Sequence, residues 1–234
     1  MLILAHMGFS RNVAPETLSP KGGTTNSPAS YAEILRSRAF WGLALASCFL
    51  QPLQYFYITW LPRYFDKYAG VGFGARLATL LVIVYLALDL GFLTGGAVVV
   101  LLSRRLAVRR ARQLVIAAGA LLMMVIPFVA QLRDVQVITA LICVATFGLG
   151  WFQVNYLTFT SEVSAKRVST AAGLLGGLGS LSGGAFMLLV GGTVERSGSF
   201  AIAFLLAGLM PLVSLVGIWL GTGQRREVKA STRM

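Results

Sequence analysis

Ser47, Gln51 and Tyr55 stand four residues apart, with Gln54 beside them. On a helix that spacing makes one polar stripe. Pro52 lies in the same stretch, removes a backbone donor and predicts a kink. Amides and hydroxyls both donate and accept hydrogen bonds. The stripe therefore suits either a cavity wall for a polar ligand or a bond to a neighbouring helix. Tyr55, Tyr57 and Trp60 follow, as a ligand platform or as aromatic residues at a membrane boundary. A second face carries Trp151, Asn155 and Thr158 at i, i+4 and i+7, with Gln153 turned elsewhere. An asparagine beside an indole suits a polyhydroxylated ligand, and equally suits interhelical bonding. Asp89 is the only acid set deep in an apolar block. It reads as a coupling carboxylate that carries a proton, or as a structural one paired to a neighbour.

The elements that hold these residues follow from the apolar blocks. The chain is 56% hydrophobic and only 12% charged, with a mean hydropathy of +0.76, where a soluble domain averages about 25% charged. Six blocks reach the ~20 residues a helix needs to cross the hydrocarbon core. They are Ala39–Pro62, Leu77–Ser103, Gln113–Leu132, Val135–Ser161, Val168–Val194 and Ser197–Gln224, and only the second holds an Asp, Glu, Lys or Arg, namely Asp89. Barrel strands would be short and alternating, so the expected fold is all-α, with six transmembrane helices in one bundle over residues 39–224. Residues 1–38 are polar and proline-bearing and read as a cytoplasmic arm; residues 225–234 read as a cytoplasmic tail. Met1–Phe9 is too short, and lacks the basic start, for a signal peptide. The fifth block runs Gly173 to Gly184 with repeated small-xxx-small spacing, which predicts close helix packing along Gly176–Gly184.

The net charge of +12 is distributed between spans, not along one face. Arg11, Lys21, Arg36, Arg38, Arg104, Arg105, Arg109, Arg110, Arg112, Lys166, Arg167 and the terminal Arg225, Arg226, Lys229 and Arg233 fall on one side; Arg63, Lys67, Arg76, Arg133 and Arg196 fall on the other. The positive-inside rule then puts both termini in the cytoplasm, in the plasma membrane of the cell. The basicity is thus topological, and a nucleic-acid partner is not expected. Cys48 and Cys143 sit alone in mid-span as packing residues, and the single histidine, His6, lies in the arm. Metal sites and a histidine-based hydrolase are therefore not expected. Neither is a phosphate-binding loop, since no GxxxxGK[ST] pattern occurs. No cofactor is expected, and the chain does not read as an enzyme.

Four stretches taken in order resemble the major facilitator superfamily, and within it the hexuronate-transporter-like branch of the anion:cation symporter family. The first is Tyr55-Phe56-Tyr57-Ile58-Thr59-Trp60-Leu61-Pro62, and the second is Asp89-Leu90-Gly91 with Gly95-Gly96. The third runs from Arg104-Arg105 to Arg110-Ala111-Arg112, and the fourth pairs Ser161-Glu162 with Lys166-Arg167-Val168. The match covers Tyr31 to Leu220 and corresponds to helices seven to twelve of that fold, the arm standing for its central loop. The resemblance implies proton-coupled alternating access for an organic anion, a sugar acid such as a hexuronate. It also implies polar contacts from Gln51, Gln54, Tyr55 and Asn155, with Trp60 and Trp151 as stacking surfaces. Such a half would need a partner, either an N-terminal six-helix half or a second copy. The alternative is a truncated or split-gene fragment with an assembly role alone.

The topology has a direct check. Cysteines introduced at Ser27 and Ser231 should be protected from an impermeant reagent on intact cells, and one at Ser197 should be modified. External labelling at Ser231 would overturn the orientation.

Overall fold

A computed structural model describes residues 34–163 and 168–222, the side chains of 161–163 excepted. Nearly all of these residues are helical. Helix α1 spans Arg38–Lys67, α2 Ala75–Ser103 and α3 Val108–Met123, the last continued by a 3-10 turn, Ile126–Gln131. Helix α4 spans Val135–Val163, α5 Val168–Ser197 and α6 Ala201–Thr222. Five elements are long and apolar enough to cross a membrane: α2, α3 with its 3-10 turn, α4, α5 and α6. Helix α1 is as long, at 30 residues, but Gln51, Gln54 and its tyrosines dilute its apolar content. The chain is thus an all-helical, multi-pass membrane protein, with five spans by length and composition where six were expected. The arm before residue 34, the Lys166-Arg167 pair and the tail after Thr222 lie outside the described residues.

Several boundaries move, each for a local reason. Helix α1 continues past Pro62 to Lys67, because proline inside a helix bends the axis without ending it when the neighbours still pack. There Tyr64 and Phe65 are buried, and the Tyr64 ring stands perpendicular to Phe204 at 4.8 Å. The basic stretch Arg104–Arg112, expected as a connection, is half helical, since α3 starts at Val108. The third span loses α geometry after Met123, where Pro127 enters the 3-10 turn and denies it a donor. Ser197 closes α5 instead of opening α6. Gly198 takes a φ of +63°, and its amide reaches the Val194 carbonyl at 2.9 Å, a left-handed helix stop. The next helices are capped from the connections. Asp134 Oδ1 accepts from the Gln136 amide at 2.7 Å, and Ser199 Oγ accepts from the Ala201 amide at 3.1 Å. Such caps contribute about 1 kcal/mol each.

The helices pair in a pattern that maps onto itself. Helix α1 packs on α5 and α6, and α4 packs on α2 and α3. Exchanging the first three helices for the last three reproduces the same pairs, the signature of a three-plus-three repeat that residue identities do not reveal. Glycine makes each crossing. A Cβ on Gly148 would sit 2.6 Å from the Gly119 carbonyl oxygen, and one on Gly217 would sit 2.7 Å from that of Gly42. The side pairs repeat the theme four residues apart. Gly91 and Gly95 of α2 lie against Phe147 and Trp151 of α4, as Gly179 and Gly183 of α5 lie against Gln51 and Tyr55 of α1.

The expected packed face along Gly176–Gly184 is therefore corrected to two positions. Gly179 and Gly183 face α1, whereas Gly173, Gly176, Gly177 and Gly184 have nothing within 4 Å of an added Cβ. Helical periodicity turns the second set away from α1. Gly96 is likewise open, while Gly91 and Gly95 are closed. Gly119→Leu and Gly183→Leu should reduce the folded fraction several-fold in detergent size-exclusion profiles, consistent with overpacking costs of about 1–3 kcal/mol. Gly177→Leu should leave it near that of the unsubstituted chain. Equal loss in all three variants would contradict this packing.

Candidate functional site

The polar stripe of α1 meets α4 and α5, with its members divided between them. Ser47 is buried, and its hydroxyl donates to the Leu175 carbonyl of α5 at 2.9 Å. Tyr55 donates to Ser180 Oγ, also on α5, at 3.2 Å. Gln51 is half-buried beside Gly179. Gln54 faces α4, where Gln153 Nε2 donates to its Oε1 at 3.0 Å. Both glutamines are half-buried and stand one turn from exposed residues, Ile58 on α1 and Leu157 on α4. The pair thus lies just under open surface. Gln153 Oε1 is buried with no partner among the described residues. A buried acceptor left unpaired costs about 1–3 kcal/mol, so this atom is ready for a donor hydroxyl.

Gln153 is the residue that sequence reasoning set aside. It lies about 200° around α4 from Trp151 and from Asn155, two residues away on either side, and that opposite face is the one that looks at α1. The only signal for it was complementarity with Gln54 across two helices.

Trp151 and Asn155 are not brought to this cluster. Trp151 Nε1 donates to Thr94 Oγ1 of α2 at 2.8 Å, and its ring packs with Val99, Ala111 and Val115. Asn155 is 3% exposed, and its amide donates to the Trp151 carbonyl one turn back at 2.9 Å. Trp151 thus holds α4 against α2 and α3, while the Asn155 amide bonds within α4. Trp60 is also apart, six residues beyond Gln54 and so about 9 Å along the helix. Its ring sits under the Arg63 guanidinium, 5.5 Å from the centroid, and against Phe200. There it lines a cavity of about 260 Å³ with Arg63, Lys67 and Glu195. Its Nε1 is buried and unpartnered among the described residues.

Asp89 stands exposed on α2, flanked by the exposed Leu86, Leu90 and Leu93. The expected pairing with a neighbouring helix or a loop arginine is absent among the described residues. The reason is rotational: Gly91 and Gly95 turn their side of α2 to α4, and two residues back the helix faces outward. A carboxylate in hydrocarbon costs about 2.5–3.5 kcal/mol on insertion scales, so lipid is a poor cover for this stripe.

The Gln54–Gln153 bond has a bounded energy. A double-mutant cycle of Gln54→Leu and Gln153→Leu, read by unfolding in mixed micelles, should give a coupling of about 0.6 kcal/mol and no more than about 1.7. A larger value would mean that the pair chiefly fastens the helices.

Comparison with known proteins adds family information. The Major Facilitator Superfamily model matches residues 1–187. The hexuronate transporter of Escherichia coli (strain K12) is 28% identical over 199 residues, which is 84% of this chain and 46% of that protein. A probable galactarate/D-glucarate transporter of the same organism is 26% identical over 205 residues, 84% of this chain and 44% of that protein. One from Bacillus subtilis (strain 168) is 26% identical over 209 residues, covering 84% and 43%. The chain spans less than half the length of these relatives.

Proposed function

Because this chain belongs to the Major Facilitator Superfamily, we propose that it is the C-terminal six-helix half of a carrier for organic anions of the sugar-acid class. In this reading α1 is the sixth span, residues 39–224 form the membrane bundle, and 1–38 and 225–234 are cytoplasmic segments at the plasma membrane. The names of the relatives support the substrate class, since they are transporters of hexuronate and of galactarate and D-glucarate. The observation that carries the reading is Gln153 Oε1, buried with no partner among the described residues, at the Gln54 pair. Neutral amides that can still accept a bond match the hydroxyls of a sugar acid. They do not match its carboxylate, which needs a cation when it leaves water. The membrane-depth residues of α1 to α6 include Asp89 but no Lys or Arg, so the compensating charge must come from a second bundle. Proton coupling would draw on that bundle as well, with Asp89 as this half's contribution.

Alternating access needs two bundles rocking about one midplane site. The second is an N-terminal half, in the same or a separate polypeptide, or a second copy of this one. The alternative reading is a bundle that assembles with others but does not transport alone. One experiment separates them. Purified chain in proteoliposomes with an inward proton gradient should give no saturable uptake of labelled glucuronate or galactonate. Co-reconstitution with a matching N-terminal half should restore uptake, and Gln153→Leu should then raise the apparent KM several-fold, with Asn155→Ala changing it less. Saturable uptake by the lone chain would point to a homodimer, and no uptake after add-back would leave assembly as the role.

A further inference from the structure

Where α1 and α5 finish and α6 begins, a cavity of about 260 Å³ opens beside Trp60. Arg63 and Lys67 of α1 and Glu195 of α5 line it, between the rings of Trp60, Tyr68 and Phe200. The connections at this end of the bundle, 68–74, 124–134 and 198–200, all belong to the described residues. Arg63 is nine residues beyond Gln54, or about 14 Å along α1, so the cavity is separate from the glutamine pair. We infer that this cavity is a docking site that binds one sugar acid from water by its carboxylate. The choice of a sugar acid rests on the carrier reading above.

The charges and their placement carry the inference. Arg63 and Lys67 stand four residues apart and share one face of α1. Like charges at that spacing repel, and an anion between them relieves the repulsion. Glu195 is the single acid among the lining residues. Among the described residues it forms no ion pair with either cation. Lys67 and Arg196, in the last turns of α1 and α5, offset the partial negative charge of those helix ends. That leaves Arg63 as the principal donor to a ligand. Its guanidinium lies over the Trp60 ring, 5.5 Å from the centroid, and that ring stands edge-on to Phe200 at 5.7 Å. A planar fork held in this way takes a carboxylate through two parallel N–H donors.

The remaining walls select a polyhydroxylated acid over a plain one. Glu195 accepts hydrogen bonds and repels a second carboxylate, so it calls for a donor hydroxyl on the ligand. The three rings offer apolar area to the C–H face of a sugar. Tyr68 stands edge-on to Phe200 at 4.8 Å, so these walls form one packed group. The volume falls just under the range of about 300–1,000 Å³ for drug-sized ligands, and so suits one monosaccharide.

The test reads occupancy with a cysteine in the cavity wall. Gly191 lines the cavity, and a Cβ there would sit 3.6 Å from the Trp60 ring, an ordinary contact. The full chain carrying Gly191→Cys is placed in nanodiscs and modified with a neutral maleimide. The unsubstituted chain, with Cys48 and Cys143, gives the background rate. Glucuronate should slow modification several-fold, whereas its neutral amide, glucuronamide, and chloride at equal ionic strength should not. Arg63→Gln should abolish the protection, and Arg133→Gln, at the same end but outside the lining, should leave it. Should Gly191→Cys not fold, Tyr68→Cys, at a position 43% exposed, is read in the same way. No slowing by glucuronate, or equal slowing by glucuronamide or chloride, overturns the inference. So does protection that survives in the folded Arg63→Gln variant. Protection lost in Gln153→Leu also overturns it, because the ligand would then sit at the glutamine pair. No arm reads transport, so a failure to carry sugar acids after add-back would refute the carrier reading and leave this result standing.

Discussion

Contact between backbones at glycine is the constraint on which this bundle rests. Lipid tails are as apolar as leucine, so burying apolar area drives helices together far less than it does in water. Close packing and hydrogen bonds must do so instead. Gly42 against Gly217 and Gly221 fixes α1 on α6, and Gly119 against Gly148 fixes α3 on α4. Gly91, Gly95 and Gly150 fix α2 on α4, and Gly179 and Gly183 fix α5 on α1. The polar groups follow from these approaches. Ser47 reaches the Leu175 carbonyl and Tyr55 reaches Ser180 because α5 has no side chain in the way. Gln54 meets Gln153 because α1 and α4 are each pressed toward the centre by two neighbours.

The same arrangement leaves two helices under-covered. The most apolar stretches of α2 and α5 are 17% and 28% buried, against 39–50% for those of the other three. On α2 the uncovered stripe carries Asp89, which is costly against lipid. On α5 it carries Gly173, Gly176, Gly177 and Gly184, whose lack of side chains would admit another backbone closely. Both stripes make physical sense as surfaces for a second bundle, which is how the family builds its carriers from repeats.

Much of this was legible in the sequence. The long apolar blocks announced the helices, and the resemblance carried by Asp89-Leu90-Gly91 and its companions agrees with the family match. What was not legible concerns relations between helices. Periodicity places residues on a face but does not say which helix that face meets. The sequence therefore could not show that Trp151 bonds to Thr94 of α2 and Asn155 to the backbone of its own helix, away from the Gln54–Gln153 pair. For the same reason Gln153 was set aside, and the open glycines of α5 looked as packed as Gly179. Pro62 and Pro127 are a smaller case. Each removes one donor, yet α1 continues through the first, where buried aromatics support it, and α geometry ends just before the second.

The central claim, that this bundle is built to face another, is tested most directly by photo-crosslinking in the native membrane. A photoreactive side chain is placed at Leu93 on α2, at Leu181 on α5 and, as a lipid-facing reference, at Leu209 on α6, all exposed in this structure. The expected result is protein cross-links from Leu93 and Leu181, to another six-helix bundle in the same or a separate polypeptide, with lipid adducts alone from Leu209. Lipid adducts alone from Leu93 and Leu181 would contradict it.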